Sequence, residues 1–401
     1  MKKIITLFAM AAVLLVSCRK NEVKTFTVTV NLTPEAVEGV TTPESFDVTL
    51  TNANTLVPVT LKSENNKAVF TEVLSGVYNI TVSAKASKGG SAYIYSGSAN
   101  NVSVLEDVTQ AVSVTASKSS ALIFKEIYYT GAPGDNYYFR DQFYEIYNQS
   151  DATVYADGLC IAETVFANYD FTTFYAWDIA DSDKYVFCQV IWQMPGNGTD
   201  YPIAPGESFV VAQWAVDHRA ESLSAGNSAV DLSGAEFEAV TGETTTWTGL
   251  VLTDNAALNM KKAVNAAGFD MPQWLTSVSG STYIIFNPGT PLRNENFIMA
   301  DNGYTQAHEV AIADILDGVQ AGSDETRAAT LGLPASVDAG FKYCSDSYSG
   351  QSIARKKTGE TADGRPIFQD TNNTTDDFEI FDTPVVRRYG VGRPSWNTWA
   401  K

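Results

Sequence analysis

Two short loops carry the residue types that could do chemistry. The first is Ala132-Pro133-Gly134-Asp135-Asn136-Tyr137-Tyr138-Phe139-Arg140-Asp141. Aromatic rings there stand beside a guanidinium and carboxylates. Such rings stack on a sugar face or seat a peptide, with stacking worth about 1–3 kcal/mol per ring. A guanidinium can take a carboxylate with two parallel hydrogen bonds. Tyr137, Tyr138, Phe139 and Arg140 are therefore candidate ligand-binding residues. The alternative is that the rings cover apolar surface of their own domain. The second loop, Asp370-Thr371-Asn372-Asn373-Thr374-Thr375-Asp376-Asp377, is dense in oxygen donors. Calcium takes carboxylate and amide oxygens, which makes Asp370, Asp376 and Asp377 candidate calcium ligands. The spacing is not that of an EF-hand, and Asx turns between two strands account for the same composition.

Other chemistry is sparse. His308-Glu309-Val310-Ala311-Ile312 comes one residue short of a zinc-protease helix, because Ile312 stands where the second imidazole is needed. The run reads better as a strand. His218 and His308 are the only histidines, and no GxSxG elbow, phosphate loop or dinucleotide fingerprint accompanies them. Asp217-His218 reads as a polar strand end. Carboxylates are abundant, so a glycosidase pair could arise, but no spacing singles one out. Cys160, Cys188 and Cys344 follow Cys18. Cys160 and Cys188 both sit in strand-like runs and could pair; the simpler reading is three buried thiols acting as small hydrophobes. The net charge of −19 repels phosphate and argues against nucleic-acid partners.

These loops need a β scaffold. Alternation of apolar and polar residues marks Phe26–Leu32, Phe46–Leu50, Ala68–Phe70, Tyr78–Ser83 and Val112–Thr115 as strands of a first domain, residues 25–117. Ser75-Gly76, Gly89-Gly90 and Asn100-Asn101 are its turn signals. Ala116–Ser120 reads as a linker. A larger domain, 121–390, opens with strands at Leu122–Tyr129 and Gln142–Tyr147 and a third ending at Ile161. Lys184–Trp192 and Ser281–Phe286 continue it, and Ser323–Leu331 could hold a short capped helix. Two long stretches interrupt its strands, the aromatic-rich 165–200 and 219–300, of which 219–247 show little periodicity. The tail, 391–401, is either frayed or a docking strip.

Residues 1–17 have the form of a leader: Lys2 and Lys3, then apolar Ile4–Val16, too short to span a bilayer as a mature helix. Leu15-Val16-Ser17-Cys18 resembles the lipobox of bacterial lipoproteins. That resemblance implies lipidation of Cys18, with 18–24 as a tether and the membrane reached through the lipid. Arg19-Lys20-Asn21-Glu22 departs from the acidic surface-export signal of such proteins, so either face of the outer membrane stays open.

Ala68-Val69-Phe70-Thr71-Glu72-Val73-Leu74-Ser75-Gly76-Val77-Tyr78-Asn79-Ile80-Thr81-Val82 resembles the prealbumin-like sandwich of carboxypeptidase regulatory domains. Lys125-Glu126-Ile127-Tyr128, Phe143–Asn148, Gly158-Leu159, Ile203–Ala212, Ala313–Val319, Gly350–Arg355 and Asp370–Phe378 occur in the order of the bacterial lamin-tail module, an immunoglobulin-like sandwich. The whole chain resembles Bacteroidetes outer-membrane lipoproteins built this way. The expectation is an all-β protein of two sandwiches, the second enlarged by insertions. Its expected role is non-catalytic: holding a glycan or peptide in the cell envelope, by resemblance beside an outer-membrane nutrient-uptake receptor. A secreted hydrolase acting on glycans or nucleic acids, and a structural or adhesive surface protein, are the alternatives.

Overall fold

The computed structural model describes residues 24–55, 57–88, 91–135, 137–167, 173–241, 245–247, 250–324 and 332–400. The leader with Cys18, Gly89-Gly90 and most of the expected helix at 323–331 lie outside these residues. The described chain is nearly all β, in several sheets.

Residues 25–118 form one seven-stranded sheet. Its order is Pro58–Lys62, Asp47–Asn52, Gly76–Lys88, Ser91–Val104, Val108–Lys118, Thr25–Pro34, Lys67–Leu74. Side chains alternate across a strand, so Phe26, Val28, Val30 and Leu32 all turn inward. Val108–Lys118 joins the two halves. It runs parallel to Thr25–Pro34 over Val108–Val114, then antiparallel to Ser91–Val104 over Thr115–Lys118. Both halves therefore feed one core, which includes Phe46, Phe70, Ile80 and Tyr95.

Two expectations need correction here. Asn100-Asn101 is no turn. Tyr78 faces Val102 and Ile80 faces Ala99, so both asparagines oppose Asn79 as a β-bulge. Asn101 takes φ +58° and its N–H is held by Asn79 Oδ1 at 3.0 Å. Nor is Ala116–Ser120 a free linker, because Ala116–Lys118 are still paired in the sheet. Residues 25–118 also touch the later chain. Thr81 Oγ1 donates to Asp376 Oδ2 at 2.9 Å and Ser96 Oγ to the Ala335 carbonyl at 2.8 Å.

The remainder is built on two large sheets. One runs Lys261–Asn265, Val190–Gln193, Cys160–Glu163, Thr282–Phe286, Ile315–Gly322, Lys342–Tyr343. The other runs Leu258–Asn259, Phe237–Glu238, Ser208–Ala212, Phe143–Asn148, Leu122–Tyr128, Ser352–Arg355, Phe378–Phe381. Phe124, Tyr144, Phe209 and Ile353 of the second sheet share a core with Ile161, Trp192, Ile285 and Val319 of the first. Each such side chain contributes about 1.5–3 kcal/mol by leaving water.

The insertions cover the outer faces. Tyr185–Cys188 and Gln306–Ala311 pair with each other, and their Val186, Cys188 and Val310 pack on Cys160, Ala162 and Ile284. Val230, Leu232 and Ala235 pack on Tyr128, Phe143 and Val210. That is why Leu122–Tyr128 and Phe143–Asn148 are buried at every position rather than alternating. Lys184–Trp192, expected as one strand, is two strands in different sheets, broken at Gln189. The tail is docked: Trp396 Nε1 donates to the Pro202 carbonyl at 2.9 Å and Trp399 Nε1 to that of Ala235 at 3.0 Å. Cys160, Cys188 and Cys344 are free and buried.

Candidate functional site

A cavity of about 260 Å³ opens beside the strands Cys160–Glu163, Val190–Gln193 and Lys261–Asn265 of the first large sheet. Strand parity builds it. Ile161 faces the core, so Glu163, two residues on, shares that face. Trp192 lies opposite Ile161 in the neighbouring strand, and Lys262 lies opposite Trp192 in the next. Segment 266–281, with Phe269, Trp274 and Ser281, completes the wall.

Each wall residue is held differently. Trp274 stacks on Tyr144 with ring centroids 4.9 Å apart. Lys262 Nζ sits 5.7 Å from the Trp192 ring centroid; its ammonium is committed to Asp270 and to the Met271 carbonyl. Burial pushes the Glu163 carboxyl up to about 7, against the lowering effect of hydrogen bonds from Ser281, the Ser277 backbone and Trp274. Trp192 Nε1 and Thr164 Oγ1 are buried and meet no hydrogen-bond partner among the described residues. Buried donors are rarely left so, and such groups mark places where a ligand or water belongs. Phe269 stands at the rim, 60% exposed.

The expected binding loop lies behind this cavity and is split between surface and interior. Tyr137 is 66% exposed, takes φ +49°, and sets its ring edge-on to Tyr348 at 5.3 Å. Tyr138 turns inward, its hydroxyl 2.6 Å from His218 Nδ1. Arg140 is buried and donates to Gln273 Oε1, a residue of the cavity wall. Arg140 is therefore spent on a wall residue, and the four side chains do not form one recognition surface. This corrects the expectation of a joint stacking and carboxylate site. Arg140 is not open to a ligand carboxylate, because the segment carrying Gln273 covers it.

The oxygen-donor loop is likewise occupied from within. The Arg355 guanidinium reaches Asp317 Oδ2 at 2.8 Å, Asp377 Oδ2 at 3.1 Å and Asp370 Oδ1 at 3.3 Å, all buried. It stands where a cation would. Asp376 turns away to Thr81, and Asn373 caps Thr374–Asp377 through the N–H groups of Thr375 and Asp376. The expected calcium ligands thus hold an arginine and a helix cap. Among the described residues no group of His, Cys, Asp and Glu is placed to hold a metal ion.

The histidines serve the fold. His218 is buried; its Nε2–H donates to the Trp214 carbonyl at 2.8 Å, and burial lowers the ring to about 4. His308 lies in the strand Gln306–Ala311, as its sequence suggested, with Glu309 paired to Arg293 at 2.5 Å.

A family model described as "Protein of unknown function (DUF4876)" matches residues 204–385. A crystal structure of a DUF4876 family protein from Bacteroides thetaiotaomicron VPI-5482 is 32% identical, with a TM-score of 0.63. The match covers 93% of this chain and 99% of that one. The chain belongs to the DUF4876 family. No curated protein matches it. The DUF4876 model spans Ser208–Ala212 and Thr282–Phe286, which frame the core, together with Lys262, Phe269 and Trp274 of the cavity. Glu163 and Trp192 precede the matched span. Sequence reasoning missed all these residues. The available signal was Glu163 at the core-facing position two after Ile161.

Proposed function

We propose that this DUF4876 protein is a non-catalytic binding protein of the cell envelope, anchored through lipidated Cys18, that holds a small polar ligand in the cavity at Glu163. In this reading 25–117 is a prealbumin-like sandwich serving as spacer, and 121–390 a lamin-tail-like sandwich whose insertions build the site. The ligand is the end of a glycan or peptide, held for an outer-membrane uptake receptor. The observation that carries the reading is a pair of buried polar atoms without a partner among the described residues, Trp192 Nε1 and Thr164 Oγ1, in an aromatic-walled cavity that also holds the Glu163 carboxyl. At about 260 Å³ the cavity lies just below the roughly 300–1,000 Å³ of sites for drug-sized molecules, so it suits one ring or one residue.

The hydrolase alternative has less support. Glycosidases use two carboxyls about 5–9.5 Å apart. Glu163 is the only carboxylate among the described residues lining this cavity.

Calorimetric titration of the full chain with a panel of monosaccharides, amino sugars, disaccharides and amino-acid amides tests the reading. Phe269→Ala, at the exposed rim, should weaken whatever binds at least tenfold without moving the melting temperature. A panel in which nothing binds sinks the proposal. The anchor is tested separately: Cys18→Ala should abolish palmitate labelling and release the protein from membranes, and labelling that persists removes the lipid assignment.

A further inference from the structure

We infer that the ligand of the Glu163 cavity is a small primary amine carrying an oxygen acceptor on a neighbouring carbon. This rests on the binding reading above and narrows it to a charge class. The argument is one of missing partners. Glu163 makes no ion pair with any described residue, although Lys262 shares its cavity. That ammonium is neutralised by Asp270 and held by the Met271 carbonyl, turned along the Trp192 face. A carboxylate withdrawn from water is costly unless a cation or several donors meet it. Three donors meet the carboxyl, from Ser281, the Ser277 backbone and Trp274, but no cation does, and burial still raises it to about 7.

The other titratable groups near Glu163 are Tyr144, Tyr283 and Cys188, each pushed upward by burial and so neutral. None supplies a positive charge. An ammonium ion does, and the wall already carries one: Lys262 Nζ sits 5.7 Å from the Trp192 ring centroid. The net charge of −19 draws cations toward the protein.

The second missing partner fixes the rest of the ligand. Trp192 Nε1 can only donate, so its partner must be an acceptor. Thr164 Oγ1, also without a partner among the described residues, can serve either way. A hydroxyl or carbonyl oxygen beside the amine meets that demand within a cavity of this size. The end group of a peptide and an amino sugar both present this pattern.

Matched pairs differing only in amine against hydroxyl isolate the claim: L-alaninamide and L-lactamide, glucosamine and glucose, ethanolamine and ethylene glycol. In calorimetric titrations of the full chain at pH 7, the amine of at least one pair should bind at least tenfold more tightly. Whether alaninamide or glucosamine leads tells the peptide source from the sugar source. Glu163→Gln, similar in shape, should erase the amine preference. Trp192→Phe, which keeps a ring and removes the N–H, should weaken both members of the leading pair. Melting curves check that both variants fold. Equal or tighter binding of the hydroxyl members overturns the inference, as does an amine preference that survives Glu163→Gln. If neutral sugars bind and no amine does, the amine class falls and the binding cavity stands. If nothing binds, both fall.

Discussion

Arg388 Nη2 donates to Glu126 Oε1 at 2.9 Å, joining residues 262 positions apart. Glu126 lies in a strand buried along its whole length and is itself fully buried. Its remaining partners are Ser352 Oγ at 2.8 Å and the Val385 N–H at 2.9 Å. Beside it, Glu145 pairs with buried Lys125 at 2.8 Å and accepts from the Arg387 N–H at 2.9 Å. Arg387 reaches on to Glu236 at 2.6 Å. Arg387 and Arg388 thus supply counter-charges to a buried face of the sheet.

Arg388→Ala should therefore destabilise far more than a surface charge deletion. Removing one member of a buried pair costs about 3–5 kcal/mol. Arg388 keeps some exposure, which lowers the expectation to about 2–4 kcal/mol. Arg388→Lys should recover part of that loss. Denaturant unfolding measures both, and a cost below 1 kcal/mol would show that water reaches Glu126.

Calcium and chelators should leave the wild-type melting temperature unchanged, because Arg355 already sits among Asp317, Asp370 and Asp377. Burial pushes the Asp317 and Asp377 carboxyls upward, and the Arg355 guanidinium works against it. Arg355→Ala should unfold or severely weaken the sheet that carries Ser352–Arg355. Thermal melts with millimolar calcium and with EDTA check the wild type, and a calcium-dependent rise would restore the loop as a metal site.

His218 gives a pH prediction with a definite sign. Its folded value of about 4 lies below the ordinary 6.5. The folded state therefore binds fewer protons than the unfolded chain between those values. The stability tied to this neutral ring is present above about pH 6.5 and is lost as pH falls toward 4, by up to about 3 kcal/mol. Asp141, raised to about 6 by burial, works in the opposite direction in any variant that keeps it. The comparison is thus with His218→Gln, whose stability should fall less steeply across that window. The His218 ring resonances should also stay unshifted from pH 8 to about 5.

Tyr137 and Tyr138 should separate cleanly despite being neighbours. Tyr137→Ala removes an exposed ring and should change stability by no more than about 0.5 kcal/mol. Tyr138→Phe leaves buried His218 Nδ1 without its hydroxyl and should cost about 1–3 kcal/mol. Equal effects in chemical unfolding would contradict the inward turn of Tyr138.

The scaffold was legible where alternation or a long apolar run marks a strand, as at Phe26–Leu32 or Leu122–Tyr129. It was illegible where one run serves two sheets: nothing in Tyr185–Trp192 marks Gln189 as the crossing point. Composition found the two polar loops but not their partners. Arg140 and Asp370 looked available because Gln273 and Arg355, which occupy them, lie 133 and 15 positions away. The cavity was hidden for the same reason. Glu163, Trp192 and Trp274 are unremarkable as neighbours in sequence, and only strand order brings them together.

The clamp at Glu126 also sets an order of events in folding. Residues 25–118 can close their core without any later segment. The strand Leu122–Tyr128 cannot, since its partner Ser352–Arg355 and its counter-charge at Arg388 come after almost the whole second domain. Loop closure over such separations is slow. During synthesis, then, residues 25–118 can close their core while Leu122–Tyr128, paired with Phe143–Asn148, still lacks its other neighbour. Chaperones that hold extended polypeptide would meet this protein at that stage, and proteases would find it there most easily.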